Sequence, residues 1–176
     1  LDLTNAFGSI NHSLLVEKLA KFFHFSSSAC SLIRSYLSGR TQSVTLNGFS
    51  SNLLPILDGV PQGSVLAPFL FSTFINDMPQ IIFNSAFHLY ADDTQIYKHS
   101  PTDLPSLSRS IALVNSDLSS INNWCSANGL ILNPKKSQAI IIFKQAISTD
   151  TLPPILINST PISYVSSVRD LGVIIN

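Results

Sequence analysis

Charged residues are scarce in this sequence. Only 11% of the 176 residues are Asp, Glu, Lys or Arg, against roughly 25% in an average globular protein. We expect part of such a surface to be covered by other domains. The 10 basic and 10 acidic residues balance to a formal net charge of +0. Neutrality argues against nucleic-acid binding by this chain alone, because phosphate contacts need Lys and Arg.

Long apolar runs and cysteine motifs are also missing. The longest apolar run, Val65 to Ile75, is interrupted by a proline and two hydroxyl residues, whereas a membrane helix needs about 20 apolar residues. Cys30 and Cys125 have no metal or redox spacing, and we interpret them as buried thiols. The sequence therefore predicts no membrane span and no signal peptide. Because it opens on Leu-Asp-Leu, a pattern typical of the inside of a strand, we expect further sequence upstream.

Hydrophobic residues are plentiful at 45%, which predicts one folded domain over 1–176. Helical spacing of apolar residues and period-two alternation assign the elements. We predict strands over 1–7, 41–47, 53–60, 137–143, 154–157 and 168–175, two short strands within 88–97, and helices over 14–23, 29–37, 61–76 and 107–125. The strands over 41–47 and 53–60 could form a hairpin. Irregular alternation of strands and helices favours the α+β class.

Two adjacent carboxylates, Asp92 and Asp93, lie between apolar strand-like residues. Both can face one site only across a tight turn, because neighbouring strand side chains point to opposite faces. A divalent cation would relieve the repulsion between them. For the pair alone, an exposed hairpin turn, where Asp is common, is the favoured interpretation.

Two further segments are candidates for the same chemistry. Asp2 stands between Leu1 and Leu3, where an acid is either a metal ligand or a surface residue. The segment 59–64, Gly-Val-Pro-Gln-Gly-Ser, precedes a predicted helix. Its glycines would let the backbone approach a ligand closely, although it is also simply a loop.

Together these elements are more specific than any one of them. Asp2, Pro61-Gln62-Gly63 and Tyr90-Ala91-Asp92-Asp93 stand in the order and spacing of reverse transcriptases. Similar segments extend over residues 1–7, 10–12, 36–42, 59–79, 124–137 and 169–173. The chain resembles the reverse transcriptase domain of non-LTR, LINE-type retrotransposons of the jockey and CR1 kind over nearly its whole length.

The resemblance implies a palm, a small antiparallel sheet backed by helices, with the first to fifth palm motifs inside residues 1–176. Fingers, thumb and endonuclease are expected outside the chain. The implied activity is metal-dependent nucleotidyl transfer to a primer 3′-hydroxyl by an RNA-directed DNA polymerase. Its partners would be an RNA template, a DNA primer and deoxynucleoside triphosphates. The family implies an intracellular protein, with the nucleus as one candidate compartment.

The resemblance also implies a metal site. Asp2 and Asp92 would hold two Mg²⁺ ions, with Mn²⁺ as an alternative, and Asp93 would complete the site. The backbone carbonyl of Leu3 is an additional candidate ligand. Lys136 matches the basic residue that donates a proton to pyrophosphate, whereas its neighbour Lys135 is interpreted as an ordinary surface lysine.

Other positions match residues that contact the substrates. Phe7 stands where the family blocks a ribose 2′-hydroxyl, with a core phenylalanine as the alternative. Gln62 and Gly63 stand where the family contacts the incoming nucleotide and template, with a polar loop as the alternative. Leu171 and Gly172 match the hairpin that grips the primer, although a plain strand would look the same.

Two residues depart from the family pattern. Gly8 replaces an Asp that is not a metal ligand, and its loss could loosen the end of the first strand. Ala67 replaces a Gly and would be strained only at positive φ. These departures keep two alternatives open: a catalytically inactive retroelement remnant, and a nucleic-acid- or partner-binding protein on a retained palm.

Overall fold

The structure of the protein, a computed structural model, describes residues 1–143 and 151–176. It contains two compact units: a sheet unit of residues 1–4, 77–127 and 131–176, and a helical unit of residues 5–76 and 128–130. Helices and small sheets both occur, so the α+β prediction is confirmed. Within the described residues, no helix is both long enough and apolar enough to cross a membrane.

Three α-helices build the helical unit: α1 (His12–Phe23), α2 (Ser27–Leu37) and α3 (Ala67–Ile75). The side chains of Asn11 and Ser26 accept a hydrogen bond from a first-turn amide of α1 and α2 respectively, which is why these helices begin where they do. Helix α1 packs against both α2 and α3. Fully buried side chains at this contact are Leu15, Leu19, Leu70, Phe71 and Phe74.

Four two-residue strands lie between α2 and α3: β1 (Thr41–Gln42), β2 (Thr45–Leu46), β3 (Phe49–Ser50) and β4 (Leu54–Pro55). β1 pairs with β4 and β2 pairs with β3, both antiparallel. The predicted hairpin over 41–60 therefore exists, but its strands are much shorter than predicted. All eight strand residues are exposed, so no buried face extends the pairing.

The sheet unit contains the longest helix and the best-formed hairpin. β5 (Ala86–Tyr90) pairs antiparallel with β6 (Asp93–Tyr97), as predicted for 88–97. Helix α4 (Leu104–Ala127) includes the predicted helix over 107–125. Its buried residues Leu107, Ile111, Leu118, Ile121 and Cys125 recur at helical spacing.

Five later strands complete this unit: β7 (Gln138–Ile140), β8 (Ile155–Ile157), β9 (Thr160–Val165), β10 (Val168–Asp170) and β11 (Val173–Ile175). β9 pairs parallel with β7 and antiparallel with β8, and β10 pairs antiparallel with β11. The implied single antiparallel sheet is thus replaced, among the described residues, by small separate sheets with one parallel pair. A parallel pair is possible because a long connection separates β7 from β9.

Several predicted bounds need correction. The strand over 1–7 is reduced to an isolated bridge between Leu3 and Leu132. Asn5 then adopts a left-handed conformation and a 3-10 helix covers Ala6–Ser9, so the extended chain ends early. The predicted strand over 168–175 is a hairpin, β9 was not predicted, and the helix predicted from residue 61 begins only at Ala67.

Candidate active site

Asp92 and Asp93 stand at a tight turn of the sheet unit. Tyr90 pairs with Asp93 in the β5–β6 hairpin, so Ala91 and Asp92 form a two-residue turn. Of these two only Ala91 has a positive φ, 51°, which is the pattern of a type II′ turn. Both carboxylate residues are exposed. The tight turn needed to bring adjacent acids to one site is therefore present.

Asp2 lies in an extended segment that hydrogen bonds hold on two sides. On one side the Leu1 amino group donates to the Thr94 carbonyl over 2.6 Å, and the Thr94 amide donates to the Leu1 carbonyl over 3.4 Å. On the other side the Asn133 amide donates to the Asp2 carbonyl over 2.9 Å. The Asp2 amide donates to Ser137 Oγ over 3.1 Å. The Asp2 backbone is therefore fixed beside β6.

This arrangement brings Asp2 next to Asp93. Reciprocal hydrogen bonds of the kind that join Leu1 and Thr94 define an antiparallel pair, and the next pair is then Asp2 with Asp93. Side chains of such a pair lie on one face, with α-carbons about 4.5 Å apart. Asp2 Oδ2 is buried and accepts no hydrogen bond. A buried carboxylate oxygen without a donor is unfavourable, and a hard divalent cation is a suitable partner for it.

The Leu1 amino group is within electrostatic range of three acids. Burial lowers the pKa of this group, while the carboxylates of Asp93, Asp2 and Asp170 act in the opposite direction. Each of these carboxylates is thus close enough to Leu1 to act on its charge. Within residues 1–143 and 151–176, however, no group of three or more His, Cys, Asp or Glu is arranged to hold a metal ion. Convergence of Asp2, Asp92 and Asp93 on one metal site stays a prediction.

Two further candidate site residues are connected to Asp2. Leu3 follows it in the chain, and Lys136 precedes the residue that accepts the Asp2 amide. Leu3 is buried and bridges to Leu132, and its carbonyl as a ligand stays a prediction. Lys136 is exposed, and its amide donates to the Asn133 carbonyl over 3.3 Å. It directly precedes Ser137, which accepts the Asp2 amide. The exposed side chain of Lys136 is free to extend, and its role in proton donation stays a prediction.

Leu171 and Gly172 form the turn of the β10–β11 hairpin. Asp170 pairs with Val173, and φ is positive at both turn residues, 44° and 89°, as in a type I′ turn. The hairpin predicted at these two residues is thus present, and the alternative of a continuous strand is wrong. Sequence reasoning missed the hydrogen bond just before this turn, in which Gln95 Nε2 donates to Asp170 Oδ1 over 2.5 Å.

Phe7 belongs to the helical unit. Its ring stacks on Phe71 with centroids 4.6 Å apart and planes inclined by 20°. The Phe7 carbonyl also accepts the Val60 amide over 2.8 Å. Phe7 is only half-buried, so the residue is held by its partners and remains partly accessible. Core packing and a selectivity role are therefore compatible.

Gln62 and Gly63 are exposed in a turn before α3. Gly63 has φ of 80° and open space around its α-carbon, so nothing blocks a ligand from approaching the backbone there. Ser64 Oγ accepts the Ala67 amide over 3.2 Å and helps start the helix. Ala67 has no positive φ, so the departure from Gly at this position is tolerated.

Gly8 and Gly59 form a contact that sequence reasoning missed. Gly59 donates its amide to the Ile10 carbonyl over 2.7 Å and its carbonyl contacts His12 Nε2 at 2.6 Å. Gly8 lies in the 3-10 helix rather than at a strand end, and a β-carbon there would meet the Asn5 side chain at 2.5 Å. The expectation that Gly8 loosens a strand end was therefore wrong, because no strand reaches it.

Comparisons with known proteins match the sequence to a family. Residues 1–175 match the family model described as reverse transcriptase (RNA-dependent DNA polymerase). The chain is 28% identical over 180 residues to the RNA-directed DNA polymerase from mobile element jockey of Drosophila melanogaster, covering 98% of this chain and 19% of the relative. Its identity to the jockey polymerase of Drosophila funebris is 31% over 182 residues, covering 100% and 19%. The probable RNA-directed DNA polymerase from transposon X-element of Drosophila melanogaster is 26% identical over 185 residues, covering 100% and 19%. The chain thus spans about a fifth of the length of these relatives.

Proposed function

Because the chain belongs to the reverse transcriptase family, we propose that it forms the palm of an RNA-directed DNA polymerase. The supporting observation is the placement of Asp2 beside Asp93, with Asp2 Oδ2 buried and without a hydrogen-bond donor. The proposed substrates are a deoxynucleoside triphosphate and a DNA primer annealed to an RNA template. The reaction joins the primer 3′-oxygen to the α-phosphorus and releases pyrophosphate.

The carboxylates are proposed to hold two divalent cations. Asp2 and Asp92 would bind both, Asp93 would complete the donor set, and the Leu3 carbonyl is a further oxygen donor. When bound, Mg²⁺ (or Mn²⁺ in its place) would activate the 3′-hydroxyl and neutralise charge on the triphosphate. The tight turn at Ala91–Asp92 keeps two acids at the exposed end of the hairpin, where a substrate could reach them.

The remaining residues are proposed to position substrates. Phe7, braced by its stacked partner Phe71, would exclude a ribose 2′-hydroxyl. Gln62 and Gly63 would contact the incoming nucleotide and template through an exposed turn. The Leu171–Gly172 turn would grip the primer, and Lys136 would give a proton to the leaving pyrophosphate.

Paramagnetic Mn²⁺ tests the metal site on these 176 residues without requiring activity. Bound Mn²⁺ should broaden the NMR signals of the backbone amides of Leu3, Ala91 and Asp93. In Asp2→Asn and in Asp92→Asn we expect the same broadening to require at least ten times more Mn²⁺. The reason is that each variant removes one charged oxygen donor.

Asp103→Asn is the matched control, because Asp103 is an exposed acid in the same unit whose carboxylate accepts the Ser106 amide at the start of α4. This control should leave the broadening unchanged. Broadening that persists in both Asp2→Asn and Asp92→Asn would refute the metal site. The chain would then be better described as a non-catalytic, nucleic-acid- or partner-binding protein on a retained palm.

A further inference from the structure

The β5–β6 and β10–β11 hairpins of the sheet unit are joined by a side-chain hydrogen bond. Gln95 Nε2, on β6, donates to Asp170 Oδ1, the last residue of β10, over 2.5 Å. The two residues are 75 positions apart in the chain. The bond is partly buried and its acceptor is a carboxylate, and both features strengthen a hydrogen bond.

Each partner sits next to a functional turn. Asp93 and Gln95 are two positions apart on β6, so their side chains share one face of the strand. Asp170 directly precedes the Leu171–Gly172 turn. The bond therefore links the strand that starts at the proposed metal-binding turn to the hairpin that carries the proposed primer grip.

The β10–β11 hairpin needs such an anchor. It has only three residue pairs, and its strands pair only with each other among the described residues. An isolated two-stranded hairpin is marginally stable in water. Leu171 and Val173 are also largely exposed, so little apolar burial fixes this hairpin in place.

Asp170 is better assigned to this contact than to a metal. Its Oδ1 is already occupied by the Gln95 amide group. The Asp170 carboxylate also acts on the Leu1 amino group, as the carboxylates of Asp93 and Asp2 do. The orientation of the Asp170 side chain is therefore set by Gln95.

We propose that Gln95 and Asp170 are positioning residues that fix the Leu171–Gly172 turn relative to the metal-binding carboxylates. This inference rests on the proposed polymerase function. Its consequence is alignment: a primer 3′-hydroxyl held by the hairpin must meet the metal site within about 0.5 Å of the productive geometry. Neither residue touches the reacting atoms, so both act through the hairpin.

A charge-swap series tests the proposal. Gln95→Glu places two carboxylates against each other and should release the hairpin. The double variant Gln95→Glu with Asp170→Asn restores an amide–carboxylate pair with the donor and acceptor exchanged. Gln138→Glu, at an exposed position on β7, adds the same charge elsewhere in the unit and is the control.

The first measurement is hydrogen exchange of the β10 and β11 amides in the full 176-residue chain. Exchange should accelerate at least tenfold in Gln95→Glu and return close to the original rate in the double variant. The second is the ratio of Mn²⁺-induced broadening at the Gly172 amide to that at the Ala91 amide. This ratio should fall in Gln95→Glu and recover in the double variant, whereas a bond that only adds stability would leave it unchanged.

The outcomes separate the two claims. An unchanged ratio and unchanged exchange in Gln95→Glu, or no recovery in the double variant, would overturn the positioning role even if Mn²⁺ binds normally. If Mn²⁺ broadens neither turn in the original chain, the metal site of the proposed function is wrong. In that case hydrogen exchange alone decides whether Gln95 and Asp170 hold the hairpin.

Discussion

Gly59 lies so close to Gly8 that a β-carbon on Gly59 would stand 2.8 Å from both the α-carbon and the carbonyl oxygen of Gly8. Real β-carbons do not approach backbone atoms that closely. Two hydrogen bonds enforce the contact, since the Gly59 amide donates to Ile10 and the Val60 amide donates to Phe7. The loop before Gln62 is therefore fastened to the segment that carries Phe7, and a β-carbon at position 59 would disturb this contact.

A pair of glycine substitutions tests this close approach. Gly59 and Gly63 both have positive φ, 89° and 80°, so alanine at either position is strained by roughly 1 kcal/mol or more. Only Gly59 has backbone atoms within contact distance, whereas nothing lies within 4 Å of a β-carbon at Gly63. We expect Gly59→Ala to lower the free energy of unfolding by about 1–3 kcal/mol more than Gly63→Ala does, as measured in urea. Equal losses would show that the contact relaxes easily.

A second prediction concerns Asp117, a buried acid on α4. Its Oδ1 accepts the Phe83 amide at 3.2 Å and the Asn84 side-chain amide at 2.9 Å, and its Oδ2 accepts the Asn84 backbone amide at 3.0 Å. Asp117→Ala leaves these donors unpaired and should lower the free energy of unfolding at neutral pH by about 3 kcal/mol. Asp92→Asn removes an exposed carboxylate of the same unit and should change the free energy of unfolding by less than about 0.5 kcal/mol.

The same residue gives a pH dependence with a defined sign. Burial acts to raise the pKa of Asp117, but hydrogen bonds from Asn84 and Phe83 act against it, and the pKa is lowered overall. The charged form therefore stabilises the fold above the unfolded pKa of about 3.9, and this stability is lost as pH falls through the folded value. Urea unfolding between neutral pH and strongly acidic pH should show this loss in the original chain and a weaker loss in Asp117→Asn. If the free energy of unfolding falls equally with pH in both proteins, the stabilising role of the Asp117 charge is contradicted.

Local pattern predicted what is local in this structure. The alternation around Asp92–Asp93 predicted the β5–β6 hairpin, and the apolar spacing from Leu107 to Cys125 predicted α4, because each element is determined by residues within a few positions. Asp92 and Asp93 were also recognisable as turn residues, since no strand can present adjacent side chains to one face.

Distant pairings were outside the reach of such patterns. Nothing in the residues near Leu1 specifies Thr94 as its partner, and the Asp2 amide donates to Ser137 from a third segment. The β10–β11 turn could not be predicted from local pattern, because a leucine at positive φ, as at Leu171, is uncommon. The apolar run over 168–175 also resembles one strand. The Gln95–Asp170 bond was equally invisible, as its partners belong to two separate hairpins.

Phe7 carries the fourth prediction, on sugar selectivity. In a longer polymerase that contains these residues, Phe7→Ala should increase ribonucleotide incorporation relative to deoxynucleotide incorporation by roughly tenfold or more. The stacked ring of Phe7 would otherwise collide with a 2′-hydroxyl. Single-nucleotide incorporation measures both rates, and Phe7→Leu, which keeps more of the packing on Phe71, should give an intermediate ratio. Unchanged discrimination with deoxynucleotide incorporation intact would mean that Phe7 only packs against Phe71.

The fifth prediction is that the 176 residues on their own give no measurable primer extension with Mg²⁺, an RNA template and a DNA primer. Catalysis needs the primer end and the triphosphate held together in near-attack geometry. A formal net charge of +0 gives this chain little electrostatic attraction for a template. The matched relatives use a chain of which this one covers only 19%. The assay is incorporation of labelled deoxynucleotide, with Asp92→Asn as the control. Extension that is abolished by Asp92→Asn would show that the metal-binding carboxylates and the exposed Gln62–Gly63 turn are sufficient for polymerisation. Contacts from outside this chain would then improve the reaction without being required for it.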